Sequence, residues 1–275
     1  MAQLFIKLPQ KMTKVHQIIV EKYLIDSRQL TKNQWRVALE AFDLLATATA
    51  QKGTQVHTFR TLYRLLIDKA YATSFLRELE KMDDPERNGL ALQAKITRQI
   101  GVQLGQSGWI DVQQVPYSLY LQAYCAFWWD SFAKGYRFEA AVFRDLRRSG
   151  IDFWAHDFTE SQQRYTSYDL IVSGWQGDVR TSTYFLTTAR TRTLSHAFYI
   201  TRLWHQQRRK RVWAVAMQPH IWDEIDGDTE VVHLYQVPKR FPEVSKVYSN
   251  NRTLIVAEYT VWKTKILRYQ ETNNE

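Results

Sequence analysis

The sequence predicts an α+β protein, with a helical N-terminal region over residues 1–130 and a mixed β-sheet flanked by helices over 131–275. Three observations carry this prediction. Apolar residues recur at helical spacing through the first part. Short β-branched and aromatic runs separated by turn signals fill the second. No repeat and no Gly/Ser/Pro-rich tract interrupts the chain, so the change near 131 is one of texture and not a linker.

In order along the chain, Val15, Ile18, Ile19 and Tyr23 form the first helical stripe. Thr31 with Gln34 reads as a capping box opening the run Trp35 to Leu45. Phe59, Leu62, Tyr63, Leu66 and Ala70 mark another helix. Asp84-Pro85-Glu86 supplies an N-cap and a first-turn proline for a helix carrying Leu92, Ile96 and Ile100. Gly101, Gly105 and Gly108 are expected to loosen its end, and Val115-Pro116 to break the chain before the aromatic run Tyr117 to Trp129. Beyond 131, Phe138 to Ser149 reads as a helix closed by Gly150. Strands are expected over 151–158, 169–172 and 178–186, then a helix over 194–207. A buried strand at 212–217 is stopped by Pro219, and two more strands are expected at 231–237 and 253–265.

The formal net charge is +9 and the pI about 9.5, which favours polyanionic partners, nucleic acid first and acidic membrane second. Aromatic residues make up 14% of the chain and are assigned mainly to the core. The lone Cys125, within an apolar run, excludes an internal disulfide framework, reads as a small buried hydrophobe and fits a reducing compartment. No apolar run approaches the roughly 18 residues of a membrane span, and the first 30 residues lack a secretory h-region. The expectation is therefore a soluble cytoplasmic protein without a membrane partner. There is no Walker loop, no Gly-x-Gly-x-x-Gly and no Gly-x-Ser-x-Gly, so nucleotide-cofactor and serine-hydrolase chemistry have no motif here. His196, His205, His220 and His233 lack metal-ligand spacing and read as structural. Residues 223–230 hold five acids without EF-hand spacing and read as a solvated loop.

The segment from Tyr168 to Ser182 carries most of the chemical signal. With Ser173-Gly174 as a two-residue turn, Val172 faces Trp175, Ile171 faces Gln176, Leu170 faces Gly177 and Asp169 faces Asp178. Directly opposed Cβ atoms lie about 4.5–5.5 Å apart, and Arg180 shares a face with Asp178. Two carboxylates that close require a cation between them, and Mg²⁺ (or Mn²⁺) suits oxygen donors. A turn over Trp175 and Gln176 would instead separate the two acids.

The pattern Tyr-Asp-Leu-Ile-Val, turn, Asp-Val-Arg-Thr-Ser resembles the metal-binding hairpin of the PD-(D/E)XK nuclease superfamily. The resemblance covers roughly 131–218 and extends to the expected order of helix, three strands, helix and strand. It implies a restriction-endonuclease-like core in which Asp169 and Asp178 bind the metal. Glu139, in Phe138-Glu139-Ala140-Ala141-Val142-Phe143, would match the helix glutamate that the family often adds. Tyr168 stands where the nominal proline would be. Arg180 stands at the motif lysine; a guanidinium stays protonated and cannot act as a base, but it can stabilise phosphate charge.

From Arg180 to Arg211 there are eight Lys/Arg residues and no acid. Arg190, Arg192, Arg202, Arg208, Arg209 and Lys210 are candidate nucleic-acid contacts. The run Arg208 to Arg211 reads equally as a solvated helix C-terminus. The expected function is a Mg²⁺-dependent endonuclease, DNA favoured. The alternatives are a non-cleaving nucleic-acid-binding or scaffold protein on the same core, and an interaction module with an aromatic oligomer interface. The N-terminal helices would serve target recognition, a homodimer or a partner protein.

Overall fold

The computed structural model describes residues 3–110, 115–157, 159–160, 166–187, 194–225, 229–240, 244–249 and 252–273. The chain is α+β and divides into two compact units, Met1–Lys134 and Gly135–Glu275.

The first unit comprises β1 (Leu4–Lys7), α1 (Lys14–Asp26), α2 (Lys32–Leu45), β2 (Thr49–Lys52), β3 (Gln55–Thr58), α3 (Phe59–Leu62), a π-helical stretch (Tyr63–Asp68), α4 (Lys69–Lys81) and α5 (Pro85–Gln106). It also holds the first part of α6 (Val115–Arg148), and the unit boundary falls within that helix. The Thr31/Gln34 capping box opens α2, and the Asp84 side chain accepts from Arg87 N–H at the start of α5, as the sequence predicts. Phe127 stacks on Phe42 with centroids 4.2 Å apart, and Tyr23 packs edge-on against both rings.

Three expectations fail in this unit. An antiparallel sheet ordered β1-β2-β3 lies in the region read as wholly helical; its strands span four residues each, too short to show an alternating pattern. Gly101 and Gly105 lie inside α5, and it is Gly108, at φ +68°, that marks the turn after it. Val115-Pro116 opens α6 instead of breaking the chain, because proline is tolerated in a first helical turn, where its missing N–H would have no partner.

The second unit is built on an eight-stranded mixed sheet. Its strands are β4 (Phe153–Ala155), β5 (Leu170–Val172), β6 (Trp175–Val179), β7 (Phe198–His205), β8 (Lys210–Met217), β9 (Val231–His233), β10 (Ser245–Ser249) and β11 (Arg252–Glu258), in the order β4-β5-β6-β7-β8-β11-β10-β9. The pairs β6–β7 and β9–β10 are parallel and the rest antiparallel. Short helices α7 (Tyr184–Thr187), α8 (Pro219–Glu224) and α9 (Val237–Arg240) lie in the connections, and α10 (Tyr259–Asn273) closes the described chain.

The sheet is covered on both faces. On one, Phe138 of α6 meets Trp213 edge-on at 5.4 Å, while Tyr259 and Trp262 of α10 pack on Trp213 and Phe198. On the other, Tyr199, Leu203, Val212, Ala214 and Ala216 join Leu186, Val232, Val237, Val247 and Leu254. This double burial explains the main misreading of the sequence. Residues 194–207, expected as a helix, contain strand β7, whose buried residues lie on both faces and so lack the period of two. The segment 253–265 is strand only to Glu258 and helix from Tyr259, with no Gly or Pro between them. The expected strand over 178–186 ends at Val179, and that over 231–237 ends at His233.

Gln270 of α10 clasps the sheet edge. Its side chain accepts from Asp152 N–H at 3.0 Å, donates to Asp152 C=O at 2.7 Å, and donates to Ser173 Oγ at 3.1 Å in the β5–β6 turn.

Candidate metal centre

The β5–β6 hairpin forms in the register read from the sequence: Leu170 opposite Gly177, Ile171 opposite Gln176, Val172 opposite Trp175. Ser173 and Gly174 both take positive φ, +49° and +84°, the conformation of a type I′ turn that matches strand twist. Gly177 is required by packing, since a Cβ there would lie 2.1 Å from Phe198 Cζ on the neighbouring strand. The ladder ends at Leu170–Gly177; beyond it Asp169 N–H donates to Gly177 C=O at 3.0 Å, one residue out of register, and Val179 N–H donates to Asp169 Oδ2 at 2.8 Å.

Two other elements bring further groups to this end of the hairpin. Glu139, on α6, places Oε1 2.8 Å from Nε2 of His156, which follows β4. His156 Nδ1 lies 3.8 Å from Asp169 Oδ1, and His156 N–H donates to the Asp169 carbonyl at 3.2 Å. One ligand atom each from Glu139, His156 and Asp169 lies within 4.8 Å of the others. Asp178 is held differently: Arg180 grips its Oδ2 through Nε and Nη2, both at 2.5 Å. His196 Nδ1 lies 3.8 Å from the same oxygen, while its Nε2 contacts the Ser167 carbonyl and its backbone N–H donates to the Tyr199 hydroxyl at 3.1 Å.

The electrostatics follow from crowding acids out of water. Glu139 and Asp178 are buried and the Asp169 side chain is 20% exposed. Burial, then the Glu139 charge, then Asp178 push Asp169 up to about 10, against a smaller opposing pull from Val179 N–H. Burial also raises Glu139, with Asp178 adding to the shift and His156 and Arg180 opposing it. Burial by itself would depress His156, but the Glu139 carboxylate outweighs it and the imidazole is raised. The pocket therefore retains protons where a cation would relieve the repulsion. Two carboxylates and an imidazole form a donor set suited to a divalent ion, with the nitrogen favouring Mn²⁺ or another first-row metal over Mg²⁺.

The sequence-predicted residues fare unequally. Glu139, Asp169, Asp178 and Arg180 do converge. Of the expected metal set of Asp169, Asp178 and Glu139, Glu139 and Asp169 fall in one group of ligand atoms with His156, while Asp178 is ion-paired with Arg180. His156 was absent from the sequence reading; its signal was a histidine closing the run Phe153-Trp154-Ala155 ahead of Asp157. Arg190 and Arg192 lie outside the described residues. The Arg202 guanidinium lies over the Phe138 ring, 4.0 Å from its centroid. Arg208 is paired with Glu258 through two bonds, at 2.8 and 3.3 Å. The run Arg208 to Arg211 caps no helix; it passes from the β7–β8 turn into the start of β8. Among the described residues no helix is long and apolar enough to cross a membrane. No family model, curated protein or solved structure matches the chain.

Proposed function

We propose that the second unit is a metal-dependent phosphodiesterase acting on nucleic acid, DNA foremost. The observation that carries this reading is the convergence of Glu139, His156, Asp169, Asp178 and Arg180 at the open end of one hairpin, with the Glu139 and Asp169 carboxyl groups raised by burial and then by the charge of neighbouring acids. The order α6, β4, β5, β6, with β7 parallel to β6, supports a restriction-endonuclease-like reading, although the helix expected at 194–207 ahead of the fourth strand is replaced by β7 itself. Glu139, His156 and Asp169 would hold the divalent ion. When bound, it would supply an acidified water and polarise a phosphoryl oxygen. Asp178 fixes Arg180, whose side chain is 55% exposed, so a permanent positive charge stands at the rim where phosphate charge would build.

A second reading, a nucleic-acid-binding protein that does not cut, is favoured by one observation: Arg180 stands at the motif lysine and is committed to Asp178. The test is incubation of purified protein with Mn²⁺ or Mg²⁺ on plasmid, single-stranded DNA and RNA. Asp169→Asn abolishes cutting and leaves binding intact if the first reading holds. Salt-sensitive binding without cutting in either metal selects the second, and absence of any polyanion affinity removes both.

A further inference from the structure

The β7–β8 hairpin ends in a combination that neither the core nor the metal centre uses. Trp204, near the end of β7, is 53% exposed although it lies in a strand whose other residues are largely buried. Its directly opposed partner is Arg211, and His205 is opposed to Lys210. The turn between them carries Arg208 and Arg209. Of these four consecutive cations, Arg208 is paired with Glu258; Arg209, Lys210 and Arg211 are exposed, and no described acid is bridged to them.

The tip is fixed in place. Buried His205 accepts the Arg208 N–H on Nδ1 at 3.2 Å, and Gln206 N–H donates to the Pro238 carbonyl at 3.4 Å. Arg209 takes a positive φ of +48°, which completes the turn and sends the chain back into β8. The aromatic ring and the cations are thus presented together by an ordered element.

The hairpin also points from the metal centre. Asp178 is paired with Tyr199 across the parallel β6–β7 ladder, and Trp204 follows five residues later on β7. At roughly 3.3 Å per residue this places its backbone about 16 Å along the strand from that of Tyr199. Five residues is an odd step along the strand, so Trp204 projects from the face of β7 opposite to Tyr199 and its ring is separate from the metal centre.

We infer that the β7–β8 hairpin is a single-strand nucleic-acid contact, in which Trp204 stacks on an unpaired base while Arg209, Lys210 and Arg211 hold the flanking phosphates. An indole face takes any base, and the adjacent guanidinium and ammonium groups supply sequence-independent charge. The inference rests on the nucleic-acid reading above and narrows it to a strand with unstacked bases.

The test is fluorescence anisotropy of a labelled oligo-dT and of a blunt duplex, without divalent metal. Trp204→Ala weakens oligo-dT binding by about five- to a hundredfold, and Trp204→Phe restores most of it. The double variant Arg209→Ala/Lys210→Ala lowers the slope of log affinity against log salt by about 1.4. Matching unfolding curves for these variants confirm an intact fold. Wild-type binding of oligo-dT that Trp204→Ala leaves unchanged, or a loss that Trp204→Phe does not repair, overturns this inference and leaves the phosphodiesterase reading standing. No affinity of the wild type for oligo-dT, duplex or RNA overturns both.

Discussion

Replacing Asp169 by Asn tests the charge state of the centre directly. Asp169 is raised from its ordinary 3.8 to about 10 by burial and by its acidic neighbours, so at neutral pH the folded protein holds a proton that the unfolded chain has released. Stability from that proton is fully present below pH 4 and falls as pH rises toward 10. The raised Glu139 and His156 act with the same sign above their own ordinary values. One proton corresponds to a slope of about 1.4 kcal/mol per pH unit, so between pH 6 and pH 8 the metal-free protein loses on the order of 2–3 kcal/mol through Asp169. Asn mimics the protonated carboxyl, cannot ionise, and should remove this part of the slope. It should match wild type only near pH 4, be more stable than wild type at pH 6, and exceed it by a wider margin at pH 8. The assay is urea unfolding followed by tryptophan fluorescence at pH 6, 7 and 8 with a chelator present. A wild-type stability that is flat or rises over this window, or an Asp169→Asn variant that keeps the full slope, refutes the electrostatic account.

Three further outcomes are expected. Mn²⁺ should raise the unfolding temperature more than Mg²⁺ and release protons measurable by calorimetry in buffers of different ionisation heat, with affinity increasing from pH 6 to pH 8. His156→Asn should erase the preference for Mn²⁺. Gly177→Ala should destabilise the protein by about 1–3 kcal/mol in urea, because its methyl would meet the buried Phe198 ring; an unchanged midpoint would contradict that packing. Arg180→Lys, which keeps one charge but gives up the two-atom grip on Asp178, should increase cleavage in Mg²⁺, and a fall in rate would mean that the guanidinium fork itself is needed.

The hairpin was legible because its instructions are local. Ser173-Gly174 specifies a tight turn, and strand alternation then fixes the pairs from Val172–Trp175 back to Leu170–Gly177, next to which Asp169 and Asp178 follow in sequence. Glu139 was legible through a short motif on a helix of clear period. His156 was not, because it joins the acids only after β4 pairs with β5, and nothing near it in sequence marks that encounter. Strand β7 was misread since burial on both faces removes the alternation by which strands are recognised. The pairing of Arg208 with Glu258, fifty residues apart, is equally invisible to local pattern, and so is the stacking of Arg202 on Phe138.

The clasp made by Gln270 separates alignment from charge. A neutral amide near the end of α10 pins the bend of the β5–β6 hairpin, while the ionising groups sit at the opposite end of the same two strands, roughly 13 Å away by chain length. Acid and alkali can load or strip protons at the carboxyl end without loosening the amide that steers it. The hairpin thus behaves as a lever with an uncharged pivot, free to gather or surrender ions while its direction stays fixed.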